Sequence, residues 1–166
     1  MKTTTLWAIV PAILLAACGP DTGAGFGALT PVTTAATAAP SAMEEEAQIM
    51  AMLNAERAKQ GLAPLSYNAK LATAAERHAN DMAAKNYFSH ISKNGAKVGD
   101  RVRAAGYCYG FLSENISGGY PTAQQAVQGW MASSGHRKNI LSSQVNEIGI
   151  GTGAGGMRVA VFARGC

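Results

Sequence analysis

Ile148-Gly149-Ile150, followed after a glycine-rich break by Met157-Arg158-Val159-Ala160-Val161-Phe162-Ala163, is the stretch where the chain changes period. Met157, Val159, Val161 and Ala163 fall on every second residue, the repeat of strands. The glycines at 151, 153, 155 and 156 suit a hairpin connection, because no helix follows them to make a phosphate-binding loop. Upstream, apolar residues recur at helical spacing instead. The sequence therefore predicts helices first and an antiparallel sheet after them, an α+β arrangement with helices packed on the sheet.

The first helix has clear punctuation. Ser41-Ala42-Met43-Glu44, after Pro40, reads as a capping box, and Ile49, Met52, Leu53 and Glu56 follow at helical spacing until Gly61 ends the element. Asn68 caps a second helix, in which Leu71, Ala75, His78 and Met82 share one stripe. His78 thus sits on an apolar face, as a hydrogen-bonded core histidine does. A short helix over Val98 to Ala105 stops at Gly106. Another starts at Pro121 or Thr122 and carries Ala126, Val127, Trp130 and Met131.

The N-terminus of this 166-residue chain reads as an export signal over residues 1–17: Lys2 supplies the positive start, Leu6 to Leu14 the apolar run, and small residues close it. The run is too short to span a bilayer as a mature helix. Its end, Leu15-Ala16-Ala17-Cys18, resembles the lipobox of bacterial lipoproteins, in which the cysteine is lipidated. Cys18 is therefore the expected membrane anchor, with an ordinary cleaved signal and a secreted soluble chain as the alternative. Gly19 after the cysteine favours the outer membrane in a Gram-negative cell. Residues 18–43 form a Gly, Ala, Thr and Pro tether with too little apolar surface to offset chain entropy. Residues 44–166 have the size of one domain with one core.

The chain carries a net charge of +4, and loss of Lys2 lowers it by one. That is compatible with an anionic envelope contact. The basic residues are scattered and no aromatics interleave with them, so no nucleic-acid footprint exists. Of three cysteines, lipidation of Cys18 leaves Cys108 and Cys166 as a pair in a compartment where disulfides persist. A redox or metal role for Cys108 would want a nearby partner, and no C-x-x-C spacing is present.

The chemistry-bearing residues cluster in three short segments. Ser133-Ser134-Gly135-His136-Arg137-Lys138-Asn139-Ile140-Leu141 sets an imidazole between a glycine and an amphipathic turn. Phe88-Ser89-His90 and Ser113-Glu114-Asn115-Ile116 precede it, each placed where a helix or turn ends. Two histidines and a carboxylate are thereby expected in one cleft. Ser133 and Ser134 neighbour His136 without a G-x-S-x-G elbow, so a serine nucleophile is not indicated.

These segments, with Leu53-Asn54-Ala55-Glu56-Arg57, Gly118, Gly129-Trp130-Met131 and Ile148-Gly149-Ile150-Gly151, occur in the order and spacing of the CAP superfamily. That group comprises the cysteine-rich secretory, antigen 5 and pathogenesis-related proteins that carry the SCP domain, and residues 44–166 resemble its bacterial branch. The resemblance implies an α-β-α sandwich around an antiparallel sheet. It also implies a cleft tetrad of two histidines and two acids able to hold a divalent ion such as Zn²⁺. His90, Glu114 and His136 match three members, and the second acid falls on Ser133.

Two imidazoles and one carboxylate with an open position match a three-ligand catalytic zinc site. Glu114 is equally suited to orient a histidine by accepting its N–H, which needs no metal. His90, Glu114 and His136 would alternatively form a buried network that fixes three loops.

Three functions are therefore weighed. The first is a monomeric, extracytoplasmic, non-enzymatic module whose cleft binds a cell-wall fragment, lipid or small molecule. The second is a metal-dependent hydrolase of peptide or envelope polymer, and the third a structural or partner-docking lipoprotein. The missing second acid weighs against catalysis and favours the first.

Overall fold

A computed structural model describes residues 39–166. The expected signal, the Cys18 lipidation site and most of the tether lie outside the described residues. The first helix, α1, runs over Ala42–Ala58 and begins with the expected capping box. Glu44 N donates to Ser41 Oγ at 3.3 Å and Ser41 N donates to Glu44 Oε2 at 2.7 Å. The helix thus starts where the capping box at Ser41 indicates. Asn68 caps α2, Ala69–Ala84, through its Oδ1 to Lys70 N and Leu71 N. The stripe Leu71, Ala75, His78 and Met82 is buried as expected. Helix α3 spans Val98–Ala104, with Gly106 in the left-handed region at φ 80° after it. Thr122 caps α4, Ala123–Ala132.

The four strands are β1, Ser66–Tyr67; β2, Tyr109–Ser117; β3, Glu147–Gly153; and β4, Met157–Gly165. They lie in the order β1-β3-β4-β2. The sheet is mixed rather than wholly antiparallel, because Ser66 and Tyr67 pair in parallel with Glu147 and Ile148. β2 and β3 both run antiparallel to β4. Along β4, Val159, Val161 and Ala163 pack with α2 and α3, while Ala160 and Phe162 pack with α1, α4 and the last helix, α5, Ser134–Ile140. Helices cover both faces, which is the α-β-α sandwich expected.

Three local readings are corrected. The segment around Glu114 is mid-strand, not the end of a helix or turn, because Glu114 and Asn115 are both buried and interrupt the apolar alternation that would have marked β2. The segment around Gly135 and His136, expected to hold an amphipathic turn, is the helix α5: Ser133, with extended φ and ψ, makes the break two residues before Gly135. Finally, of the four glycines assigned to the hairpin, Gly155 and Gly156 do turn the chain, at φ 68° and 71°. Gly151 and Gly153 are strand residues facing α2, where a Cβ on Gly151 would strike the backbone of Ala75 and Glu76.

Cys108, just before β2, is bonded to Cys166 after β4, with Cα atoms 5.6 Å apart. In the chain-entropy picture, closing a loop of this length stabilises the fold by about 4 kcal/mol.

The packing at Gly151 is directly testable. Gly151→Ala is expected to destabilise the protein by about 1–3 kcal/mol or more in urea unfolding, because the obstructing atoms are helix backbone. Gly135→Ala, helical and open around its Cα, is expected to be neutral or stabilising by up to about 1 kcal/mol. Equal effects would refute a close helix-sheet approach.

Candidate functional site

Three segments meet at the β2 edge of the sheet: the loop after α2, the end of β2 itself, and the α4–α5 junction. Between them lies a cleft of about 690 Å³ whose walls include His90, Ser133 and His136, together with Phe88, Ile116 and Trp130. Glu114 stands behind this cleft. It is only 3% exposed at its side chain, and both carboxylate oxygens are engaged: Oε1 with His90 Nδ1 at 2.8 Å, and Oε2 with Arg101 Nη2 at 2.7 Å. Among the described residues the arginine has no carboxylate partner besides Glu114, and its other terminal nitrogen donates to His90 O, Ser92 Oγ and Ala96 O. A carboxylate has only acceptor oxygens, and here both face donors. It can then only accept, so the proton between Glu114 and His90 sits on Nδ1. That leaves Nε2 as the ring nitrogen free of Glu114, on a side chain that is 53% exposed and lines the cleft.

His78 supports the same loop from the core. Its Nε2–H donates to Ser89 O at 2.9 Å, and Ser92 Oγ donates to Nδ1 at 3.3 Å. Burial first, and the nearby Arg101 charge second, push its pKa below the ordinary imidazole value of 6.5. The expectation of a hydrogen-bonded core histidine holds.

On the opposite wall, Asn115 Nδ2 donates to His136 O at 3.1 Å. Asn139 Nδ2 donates to Asn115 Oδ1 at 2.9 Å and to Glu114 O at 3.3 Å. This ladder pins α5 to β2. Burial, and secondarily the charge of His90, lowers the pKa of His136 from 6.5. Trp130, almost wholly buried, donates its indole N–H to Ile116 O at 3.0 Å and is core as well as wall.

Of the four expected cleft residues, His90, Ser133 and His136 line one space, and Glu114 is recessed behind His90 without lining it. Of the two roles foreseen for Glu114, ligand or orienting acceptor, the geometry is that of the acceptor. Among the described residues no group of three or more His, Cys, Asp or Glu is placed to hold a metal ion. Two imidazoles remain where a catalytic zinc site uses three protein donors, so the residues do not fit that site. Sequence reasoning missed Arg101, Ile91 and Tyr120. Nothing in Asp100-Arg101-Val102-Arg103 separates the arginine that reaches Glu114 from the one that pairs locally with Asp100.

This sandwich with a histidine-lined cleft at the sheet edge defines an SCP-type domain. The chain belongs to the CAP, or cysteine-rich secretory protein, family, whose model matches residues 50–161. It is 38% identical over 137 residues to the Bacillus subtilis protein YkwD, covering 82% of this chain and 53% of that one. It is 39% identical over 106 residues to the B. subtilis membrane protein YlbC, covering 64% and 31%. The chain thus spans about half or less of the length of these relatives. Among solved structures, an extracellular SCP-domain protein of Bacillus anthracis is similar at 32% identity, with a TM-score of 0.72 over 74% of this chain and 41% of that one. An outer surface protein of Borrelia burgdorferi shares the fold at 17% identity, with a TM-score of 0.69 over 74% and 94%.

The two depressed histidines give stability a defined pH dependence. The unfolded chain takes up protons near 6.5, and the folded chain only below it. Stability present above pH 6.5 is therefore expected to fall as pH drops through that value, then to level off once the folded imidazoles also protonate. Urea unfolding from pH 7.5 to 5 checks this. His78→Gln should flatten the slope, and an unchanged slope would contradict the assignment.

Proposed function

We propose that this chain is an extracytoplasmic, lipid-anchored CAP-domain lipoprotein that binds a cell-envelope ligand in the His90/His136 cleft without chemically altering it. The observation that carries the reading is the double engagement of Glu114. With Oε1 on His90 and Oε2 on Arg101, this carboxylate is spent on orienting an imidazole and is not free to act as a base toward a bound molecule. Ser133 supplies a hydroxyl where the resemblance puts the second acid. The cleft therefore offers hydrogen-bonding groups, His90 Nε2, His136 and Ser133, within an apolar frame. Phe88, Ile91 and Tyr120 are exposed around its mouth, and grouped apolar exposure of this kind marks a place where another molecule lands.

The extracytoplasmic setting is supported by the signal-like N-terminus and by the descriptions of the B. anthracis and B. burgdorferi proteins as extracellular and outer surface proteins. No helix among the described residues is long and apolar enough to cross a membrane. Lipid at Cys18 would hold the domain at the membrane. Cys18→Ser is expected to move the protein from the membrane to the soluble fraction. Retention in the membrane fraction would overturn anchoring at this residue.

The binding role is tested by incubating the purified protein with soluble peptidoglycan fragments and long-chain fatty acids, then identifying retained molecules by mass spectrometry. Retention of unaltered ligand, reduced about tenfold or more by His136→Ala and Phe88→Ser in variants that melt normally, is the expected result. Chelator-sensitive cleavage products lost in His136→Ala would instead establish a metal-dependent hydrolase. Retention indifferent to cleft variants would favour a partner-docking protein.

A further inference from the structure

A second groove, also about 690 Å³, lies on the flank of α5 away from the cleft. Its apolar floor is formed by Phe111 and Leu141, both half-buried against the core. Arg137 and Lys138 stand exposed at its rim. The strand register adds a third cation: Arg164 is the cross-strand partner of Phe111 and is also exposed. Directly opposed residues project to the same face of a sheet, which puts Arg164 on the face that carries Phe111. Among the described residues none of these three cations has an ion-pair partner, whereas Lys59, Lys85, Arg103 and Arg158 all do. No Asp or Glu lines the groove, and its remaining walls carry uncharged hydroxyl and amide groups such as Ser142 and Gln144.

We propose that this groove is a binding site for an acidic saccharide, a sugar chain bearing carboxylate or phosphate groups. Each component of the groove matches one component of such a ligand. An aromatic ring and a leucine receive the C–H faces of sugar rings, hydroxyls and amides pair with sugar hydroxyls, and guanidinium forks take carboxylate or phosphate oxygens in two-pronged fashion. A bilayer surface would satisfy the cations but presents no C–H faces to fill a concave floor. An acyl chain would bury the serine and glutamine groups without partners. The site is separate from the histidine cleft, so it stands whether or not the cleft binds what was proposed above.

The test is calorimetric titration of the purified protein with oligogalacturonate, with its neutral methyl ester, and with vesicles of anionic phospholipid. Binding of oligogalacturonate is expected to exceed that of the methyl ester at least tenfold. It should fall tenfold or more in the Arg137→Gln/Lys138→Gln double variant and severalfold in Arg164→Gln, each checked for an unchanged melting curve. Lys70→Gln/Arg77→Gln, which removes two cations elsewhere, should leave it unchanged. An equal loss in that control would reduce the effect to net charge and overturn the proposal. So would indifference to the carboxylates, or tighter binding to the vesicles than to the oligosaccharide.

Discussion

The close seating of α2 on the glycine face of β3 is the contact from which the functional end of this protein takes its position. Gly149 and Gly151 lie where any Cβ would collide with helix backbone at Leu71–Ala72 and Ala75–Glu76. The helix answers with small residues, Ala72, Ala75 and Ala79, all buried. On the opposite face of the same strand, Ile148 and Ile150 fill the second core. One strand thus serves two interfaces of different depth, bare backbone on one side and branched side chains on the other. With α2 held this near the sheet, His78 is buried within reach of Ser89 and Ser92, and the loop carrying His90 is fixed at its root.

Among the described residues two arginines, Arg57 and Arg158, are buried and a third, Arg101, is nearly so, and the comparison clarifies the site. Among the described residues Arg57 has no carboxylate partner: it donates to the carbonyls of Ala63, Ile140 and Ser142 at 2.8–2.9 Å, binding the loop after α1 to the segment after α5. Arg158 pairs with Glu45 and with the carbonyls of Tyr120 and Gly156. Arg101 combines both modes, a carboxylate on one nitrogen and loop carbonyls on the other. Breaking any of these would strand a buried charge, a loss of about 3–5 kcal/mol where measured. Arginines here act as clasps between loops, and Arg101 differs in that its clasp also holds the carboxylate that orients an exposed imidazole.

What was legible in the sequence follows from how local each signal is. The caps at Ser41, Asn68 and Thr122 are satisfied within three residues, so the sequence carries them whole. The stripe on α2 is equally local. β2 was not legible, since Glu114 and Asn115 are buried only because Arg101 and Asn139, from distant helices, satisfy them. The glycines of β3 fail for a related reason: in sequence, a glycine that admits a helix backbone looks the same as one that turns a hairpin. The cleft histidines were found through motif order, while the arginine that positions one of them depends on a contact the motif does not contain.

The cleft also sits at a sheet edge, where unpaired backbone would ordinarily invite another strand. Here that edge is already occupied. The carbonyl of Glu114 accepts from Asn139 and that of Ile116 from Trp130, so side chains of α5 and α4 take alternate acceptors along β2. An incoming extended peptide would have to displace both, including an indole that is part of the core. The proposed recognition at this edge would therefore run through side chains, namely His90, Ser133, His136 and the apolar rim, and not through strand addition. The same two donors hold α4 and α5 against β2, so covering the edge and shaping the cleft are one structural solution.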